Sequence, residues 1–468
     1  MISRRFMAII ILITLIVLSF QAFQDNVFKK ILEKNEGENI MFSPLSIYQI
    51  LSLLSNGAKE NTQKEILKIL FPNEEPNEDL INRINSNMKQ IISNIESENI
   101  QTNNYCLEGA ENCKIIFKDV NGIFIKKGVE LTNQFTEKCE NYNASYFELI
   151  NAEQINNYCS ENTNGKINKV IDQINPNTIL MLINAIYFKG IWESKFNERS
   201  TEKKDFQNYN KTIIQVDTMY QNYHNHMYYE DEKVQIISLP YISKKLKFKM
   251  IIILPNSKKY SSPIDYLNKE NITLSEINSK LKQKDSIHLY LPKFNYKFES
   301  NLKEILEDMG MKMAFSEYFA NFGNLCQNIT ENIYINKILH KTFIDLNENG
   351  TEAAAVTLVD VVGMALPNEE YYMYVNHSFI YMIQSDIIED IENKYLMPFI
   401  GIVNNLGNKV EEENDKEKET EKDKENDKEK ENDEGRETDE PEKIKLGNYQ
   451  NNLKIKFGFI LSIIIFLI

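Results

Sequence analysis

Asn39-Ile40-Met41-Phe42-Ser43-Pro44-Leu45-Ser46-Ile47-Tyr48-Gln49-Ile50-Leu51-Ser52-Leu53-Leu54-Ser55-Asn56-Gly57 is the stretch from which the fold is read. Ser43 carries the side chain of a helix cap, and Pro44 has the fixed φ that suits a first turn. Leu45, Ile47, Ile50, Leu51 and Leu54 recur at helical spacing, and Gly57 marks the end. Working outward, Asn61 to Leu70 and Glu78 to Ile95 repeat the helical pattern. Farther on, strand-like runs take over: Gly122 to Ile125, Ile179 to Phe188, Val234 to Leu239, Phe248 to Leu254, Ile287 to Leu291, Tyr372 to Ile383 and Phe399 to Val403. They are rich in Ile, Tyr, Phe and Val. Helices cluster early and strands late, so the pattern predicts an α+β body over about 23–405 rather than a regular alternation.

The chain of 468 residues has a formal net charge of −15. Residues 411–443 hold 18 acids and 8 bases, a net of −10, which leaves −5 for the rest. No basic surplus is there to neutralise phosphates, so nucleic acid is excluded as a general partner. Aromatic residues at 11% and hydrophobic residues at 42% suffice for a core.

Both ends read as processing or anchoring signals. Arg4 and Arg5 precede a charge-free run, Phe6 to Phe20, too short to span a bilayer comfortably. Residues 1–22 are therefore read as a secretory signal, with an uncleaved anchor as the alternative. Residues 406–446 are read as a charged stalk with almost nothing apolar to bury. Residues 447–468 end in twelve uncharged residues after Lys456. As a helix these would reach roughly 18 Å, against a hydrocarbon core of roughly 30 Å. A lipid attachment signal of the glycosylphosphatidylinositol kind fits that layout, although Tyr449 stands where a small residue is wanted. The alternative is a short tail held directly in the membrane. The expected location is outside the cell, secreted or tethered to the outer face of the plasma membrane.

No catalytic constellation emerges: there is no nucleophile elbow, phosphate loop, dinucleotide fingerprint or zinc-protease helix. No enzyme activity, cofactor or metal is expected. His224-Asn225-His226 has two imidazoles without a nearby third ligand and reads as a polar loop. Of five cysteines, Cys106 and Cys113 lie seven apart in a polar stretch, either bridged or as two free thiols in a loop. Cys139, Cys159 and Cys326 fall in apolar-patterned segments and read as buried thiols.

Seven stretches, in order, resemble the serpin family over nearly the whole body. The first runs from Asn39 to Ile47 and on through Gly57-Ala58 to Thr62. Thr163-Asn164-Gly165-Lys166-Ile167 and Asn184-Ala185-Ile186-Tyr187-Phe188-Lys189-Gly190-Ile191-Trp192 come next, with Phe196 after them. Leu291-Pro292-Lys293-Phe294 and Leu306 to Met311 follow. His340-Lys341 precedes Glu348-Asn349-Gly350-Thr351-Glu352-Ala353-Ala354-Ala355-Val356-Thr357, and Pro398-Phe399-Ile400-Gly401 closes the series. The resemblance implies three β-sheets, eight to nine helices and an exposed reactive loop. It implies a monomer that inhibits a serine protease by suicide: the protease cuts the loop, is held as an acyl-enzyme, and is displaced when the loop inserts as a new strand in the central sheet. The hinge would be Glu348, Gly350, Thr351, Glu352, Ala353, Ala354, Ala355 and Thr357. The sheet-opening region would hold Ser43, Ser46, Asn184 and His340, with Trp192, the only tryptophan, near the top.

The loop can be tested against that mechanism. As a strand, residues 351–363 put Thr351, Ala353, Ala355, Thr357, Val359, Val361 and Gly363 on one face. Glu352 and Asp360 both fall on the other, so one face is free of charge and can be buried. No Pro interrupts the run. Spacing from Gly350 places the family's scissile bond at Met364-Ala365. No Lys or Arg occurs between Lys341 and Lys394, which disfavours a trypsin-like target whose pocket carboxylate needs a cation. Elastase-like or chymotrypsin-like proteases fit Met364, with papain-like cysteine proteases and cleavage at Val362 or Leu366 left open. Three departures stand out: Tyr158 replaces the family's usual Trp, Ser378 its usual Pro, and Asn349 occupies the hinge's variable position within a glycosylation sequon. A glycan at Asn349 is expected to slow insertion. Further sequons begin at Asn143, Asn210, Asn271, Asn328 and Asn376. A non-inhibitory serpin acting as carrier, storage protein or cell-surface binding module is the competing expectation.

Overall fold

The computed structural model describes residues 22–106, 115–243, 246–327, 332–351, 369–386 and 395–407. Nine helices occur among them. They are α1 over 22–34, α2 (Pro44–Gly57), α3 (Glu60–Leu70), α4 (Glu78–Cys106), α5 (Asn133–Asn141), α6 (Ala152–Asn162), α7 (Pro263–Glu270), α8 (Leu274–Lys280) and α9 (Lys303–Asp308). In α2 the Ser43 side chain accepts a hydrogen bond from the Ser46 amide and Pro44 opens the first turn, as read from sequence. The apolar stripe understates its burial: every residue but Asn56 is buried, because the helix runs inside the body. Two of its serines bond back to the helix, Ser52 to the Tyr48 carbonyl and Ser55 to that of Ser52. Gly57 does not turn the chain with a positive φ. It is the last helical residue, and a Cβ there would lie 2.9 Å from Leu325 and Phe135.

Three sheets carry the rest. The largest joins β1 (Ile40–Phe42), β6 (Glu202–Gln207), β7 (Ile213–Glu230), β8 (Val234–Pro240), β9 (Lys249–Pro255), β10 (Lys282–Pro292), β15 (Glu370–Tyr374), β16 (Phe379–Asp386) and β17 (Tyr395–Val403). Its order is β1-β17-β16-β9-β8-β7-β10-β15, with β6 on β7. The central sheet runs β11 (Phe294–Asn301), β13 (Ile335–Asn347), β14 (Gly350–Thr351), β5 (Leu180–Ile191), β2 (Ile116–Ile125), β4 (Ala144–Glu148). A two-stranded sheet pairs β3 (Glu130–Leu131) with β12 (Cys326–Gln327).

Only Lys189 of the twelve residues in β5 escapes full burial. Both its faces are covered: Leu180, Leu182, Ile186 and Phe188 belong to the main core, while Met181, Ile183 and Ala185 pack with Ile155 and Cys159 of α6. Each fully buried aliphatic side chain stabilises by roughly 1.5–3 kcal/mol.

Several sequence expectations are corrected. Glu78 to Ile95 is helical but continues to Cys106. Tyr372 to Ile383 is two strands, because the chain leaves β15 at Val375 and enters β16 at Phe379 in a different place in the sheet. His224-Asn225-His226 is no loop; it lies within the long strand β7, where Tyr223 stacks on His226. Cys139, Cys159 and Cys326 are buried thiols. The Cys106 side chain and Cys113 lie outside the described residues.

Candidate functional site

β5 and β13 are parallel neighbours from Ile335 opposite Leu180 up to Thr342 opposite Ile186. Above that point β14 lies between them, antiparallel to both, with Thr351 opposite Leu346 on one side and Gly190 on the other. A parallel ladder is slightly weaker per residue than an antiparallel one, so the sheet has a seam with a two-residue wedge at its mouth.

The mouth is built around a glycine. Gly350 has φ +148°, and a Cβ there would sit 2.0 Å from the Gly190 carbonyl oxygen, so no other residue fits. Thr351 is buried and its hydroxyl bonds the Tyr241 hydroxyl at 2.7 Å. Tyr241 stacks on Trp192, ring centroids 4.5 Å apart. Trp192 holds the chain entering the wedge at two points: its indole N–H donates to the Asn347 carbonyl (3.1 Å) and its amide to that of Asn349 (3.0 Å). Glu348 is buried, accepting from the Thr201 hydroxyl at 2.7 Å and pairing with Lys293 at 3.0 Å. Burial pushes this carboxyl up, but the bonds from Thr201 and Lys293 outweigh it and hold it below the usual range.

Lower in the seam, His340 and Asn184 face each other across the parallel pair. His340 Nε2 accepts from the Ser43 amide at 3.1 Å, which leaves the proton on Nδ1 to donate to Asn184 Oδ1 at 2.6 Å. Burial lowers the imidazole pKa to about 3, so the ring is neutral and acts as a fixed donor–acceptor pair. Asn184 Nδ2 donates to Asn121 Oδ1 (2.7 Å) and to Ser46 Oγ, and Ser46 Oγ donates in turn to Asp119. Thr342 closes the set by donating to the Met41 carbonyl at 2.8 Å. One buried network thus ties the start of α2 to β2, β5 and β13. It contains no poised nucleophile, and no group of three metal-ligating side chains occurs among the described residues. What this arrangement can do is hold a sheet shut, or let it part.

The structure therefore brings together Ser43, Ser46, Asn184 and His340, and separately Glu348, Gly350, Thr351 and Trp192. Glu352, Ala353, Ala354, Ala355, Thr357, Met364 and Ala365 lie outside the described residues, as does Asn328. Asn143, Asn210, Asn271 and Asn376 are exposed and Asn349 is half-buried. Tyr158, the departure from Trp, packs edge-on against Phe124 and Phe147 and donates to the Asn121 carbonyl at 3.0 Å. Ser378 is buried beside the Asn404 carbonyl. Sequence reasoning missed Asp119, Asn121 and Tyr241. Asp119 and Asn121 had a signal, two polar residues at a spacing of two within Ile116–Ile125, which puts both on one face of a mostly apolar strand.

Comparison with known proteins agrees with this geometry. The family model described as Serpin (serine protease inhibitor) matches residues 19–403. The chain is 31% identical over 383 residues to leukocyte elastase inhibitor of Xenopus tropicalis, covering 79% of this chain and 95% of that protein. It is 30% identical over 376 residues to Serpin-Z10 of Arabidopsis thaliana, covering 75% and 89%. Among solved structures, the thermophilic serpin tengpin in its native state superposes with a TM-score of 0.69 at 26% identity, over 83% of this chain and 94% of that one. Serpin48 of the insect Tenebrio molitor does so with 0.67 at 25% identity, over 84% and 98%. With its wedge, its seam and this match over most of its length, the chain belongs to the serpin family.

Proposed function

We propose that this serpin is an inhibitor that traps an elastase-like or chymotrypsin-like serine protease through Met364-Ala365. The observation that carries the reading is the pairing of Gly350 and Thr351 with both β13 and β5 at the mouth of the parallel seam. Continuing that register puts Ala353 opposite Ile344 and Phe188, Ala355 opposite Thr342 and Ile186, and Thr357 opposite His340 and Asn184. All six partners are buried, so the charge-free face of the loop would turn inward and Glu352 and Asp360 outward. In the reaction, the protease serine oxygen attacks the Met364 carbonyl carbon. The bond to the Ala365 nitrogen breaks, and that nitrogen leaves with a proton from the protease's own acid. Insertion then outruns hydrolysis of the ester. The name of the Xenopus tropicalis relative, an elastase inhibitor, supports the choice of target class.

The same reading carries the ends as proposals. Residues 1–22 would direct secretion, 406–446 would form a stalk and 447–468 would anchor a monomer at the outer cell surface. No helix among the described residues is long and apolar enough to cross a membrane.

The test is incubation with pancreatic elastase, chymotrypsin and trypsin. A band of summed mass that survives SDS is expected with one of the first two and not with trypsin. Loop cleavage without such a band across a broad protease panel would favour a carrier or surface-binding serpin instead.

A further inference from the structure

β7, β10 and β15 turn an aromatic face outward. Alternate residues of a strand point to opposite sides, and Ile287, Leu289, Leu291 and Met373 take the inner side and are buried. The positions between them have no core to fill, yet His288 and Tyr290 of β10 and Tyr372 and Tyr374 of β15 stand there, with Tyr220 of β7 opposite Tyr290. The rings pile across the strands. Tyr374 lies on Tyr290 and Tyr372 on His288, each pair with centroids 4.5 Å apart and planes within 12°. Tyr220 continues the first pile at 4.9 Å, and its hydroxyl is 2.8 Å from His288 Nδ1. Such contacts stiffen a short strand.

They use only one face of each outer ring. Among the described residues β15 is the last strand of its sheet, so no strand lies beside the second faces of Tyr372 and Tyr374. The two rings sit side by side along the strand, centroids 6.4 Å apart and planes 11° from parallel, with the residues 44% and 47% exposed. Together they make a flat apolar wall. Glu369 and Glu370 are exposed at its leading end, so the surface that fits it is apolar with a cation beside it. Tyrosine walls of this kind are the stuff of protein interfaces, where they bring large contact area.

Chain length says which protein. Met364 is six positions before Glu370, where β15 begins, and thirteen after Thr351, where β14 ends. Six residues reach at most about 20 Å and thirteen about 45 Å. An enzyme engaged on Met364 is thus tethered more tightly to β15 than to the mouth of the seam. A globular enzyme of about 240 residues is itself roughly 45 Å across, so it overhangs the end of the sheet to which it is tied.

We propose that the wall formed by Tyr372 and Tyr374 is a second contact surface for the target protease, engaged while the enzyme's active site holds the loop at Met364. The inference rests on the inhibitor reading and adds to it. Met364 selects the active-site pocket, and the wall selects, among enzymes that share this pocket, those with a matching surface beside the cleft.

The test measures binding of the intact chain to pancreatic elastase and to chymotrypsin, each with its nucleophilic serine replaced by alanine, so that neither cleavage nor insertion contributes. Tyr372→Thr combined with Tyr374→Thr keeps strand-forming residues and is expected to weaken binding to the better-bound enzyme about tenfold. Tyr372→Phe combined with Tyr374→Phe keeps the wall and should stay within about twofold of the native chain. Hydrogen exchange of residues 286–290 and 370–374 in the free chains checks that the threonine variant has not simply loosened β15. Equal affinity of the threonine variant and the native chain overturns the proposal, and so does a loss matched by faster exchange in these strands. Failure of the native chain to bind either enzyme overturns it as well. Protection of residues 370–374 by cellohexaose and not by enzyme would give the wall to a glycan instead. A wall-dependent affinity in a chain that forms no SDS-resistant complex with the active enzymes would sink the inhibitor reading alone.

Discussion

His340 is a base that burial has disarmed. Its pKa in the fold is about 3, against 6.5 in water, so between those values the unfolded chain binds a proton that the folded one refuses. Stability present above about pH 6.5 is therefore lost as pH falls towards 3, the opposite slope to that of Asp119, whose carboxyl burial pushes up to about 6. An Asp119→Asn background removes that opposing contribution, and His226 and His377, whose imidazoles burial also lowers, contribute alike to both chains compared. There, His340→Asn is expected to lower the thermal midpoint at neutral pH, since each bond to Ser43 and Asn184 left unmade costs about 1–3 kcal/mol. It should also flatten the decline of the midpoint on acidification to about pH 5. Midpoints measured as a function of pH for both chains check this, and parallel declines would contradict it. At this scale the sequence was uneven as a guide. Ser43, Ser46, Asn184 and His340 lie inside stretches that carry the family resemblance, so their roles could be read. Asp119 and Asn121 precede Gly122, where the expected strand begins, so their shared spacing of two counts as a cue only once the strand is extended back to Ile116.

Among the elements, β14 is the informative one because it fixes a register. If insertion continues that register, position 355 faces the buried side next to Thr342 and Ile186, and position 354 faces outward. Ala355→Arg would bury an unpaired cation at a cost of several kcal/mol, whereas Ala354→Arg would lie on the other face beside Tyr187 and half-buried Phe343, where a long side chain can carry its charge out to water. Ala355→Arg is expected to turn the chain into a substrate, cleaved at an undiminished rate with little complex. Ala354→Arg should keep at least half the complex yield. The ratio of cleaved to complexed protein by gel densitometry decides it. The strands that define this register were only half legible. Ile179 to Phe188 is nearly all apolar and was found, but β13 was not, because Lys337, Lys341 and Asp345 break up its apolar run. What it has instead is alternation, with Ile338, His340, Thr342, Ile344 and Leu346 all buried. The eighteen residues of β7 were missed for a related reason: a strand that pairs with β6, β8 and β10 can stay polar along much of its length.

For the molecule as a whole, the proposed insertion would leave the intact form with one strand fewer in its central sheet than the cleaved form. A loop cut at Met364-Ala365 and taken up as far as Val361 would gain ladder partners on both sides over about ten residues. At about 1 kcal/mol net per hydrogen bond this is on the order of 10 kcal/mol, enough to raise the midpoint of a body this size by roughly 10 °C. Calorimetry of the intact chain and of the chain nicked by elastase measures the difference; equal midpoints would mean that the loop stays out. Fold class was legible at this scale because helical and strand-like patterns separate along the chain, and α+β followed from that alone. The strand order was not, since it depends on pairings such as β1 with β17 between residues some 360 positions apart.

The single tryptophan ends up where the loop enters the sheet, gripping the carbonyls of Asn347 and Asn349 and lying flat on Tyr241. Any withdrawal or deeper entry of the wedge must alter the hydrogen bonding and polarity around that one indole. Its intrinsic emission is thus an unlabelled optical gauge of the mouth, with no second indole to blur the signal. Stopped-flow fluorescence on the unmodified chain can time the first step of loop movement directly.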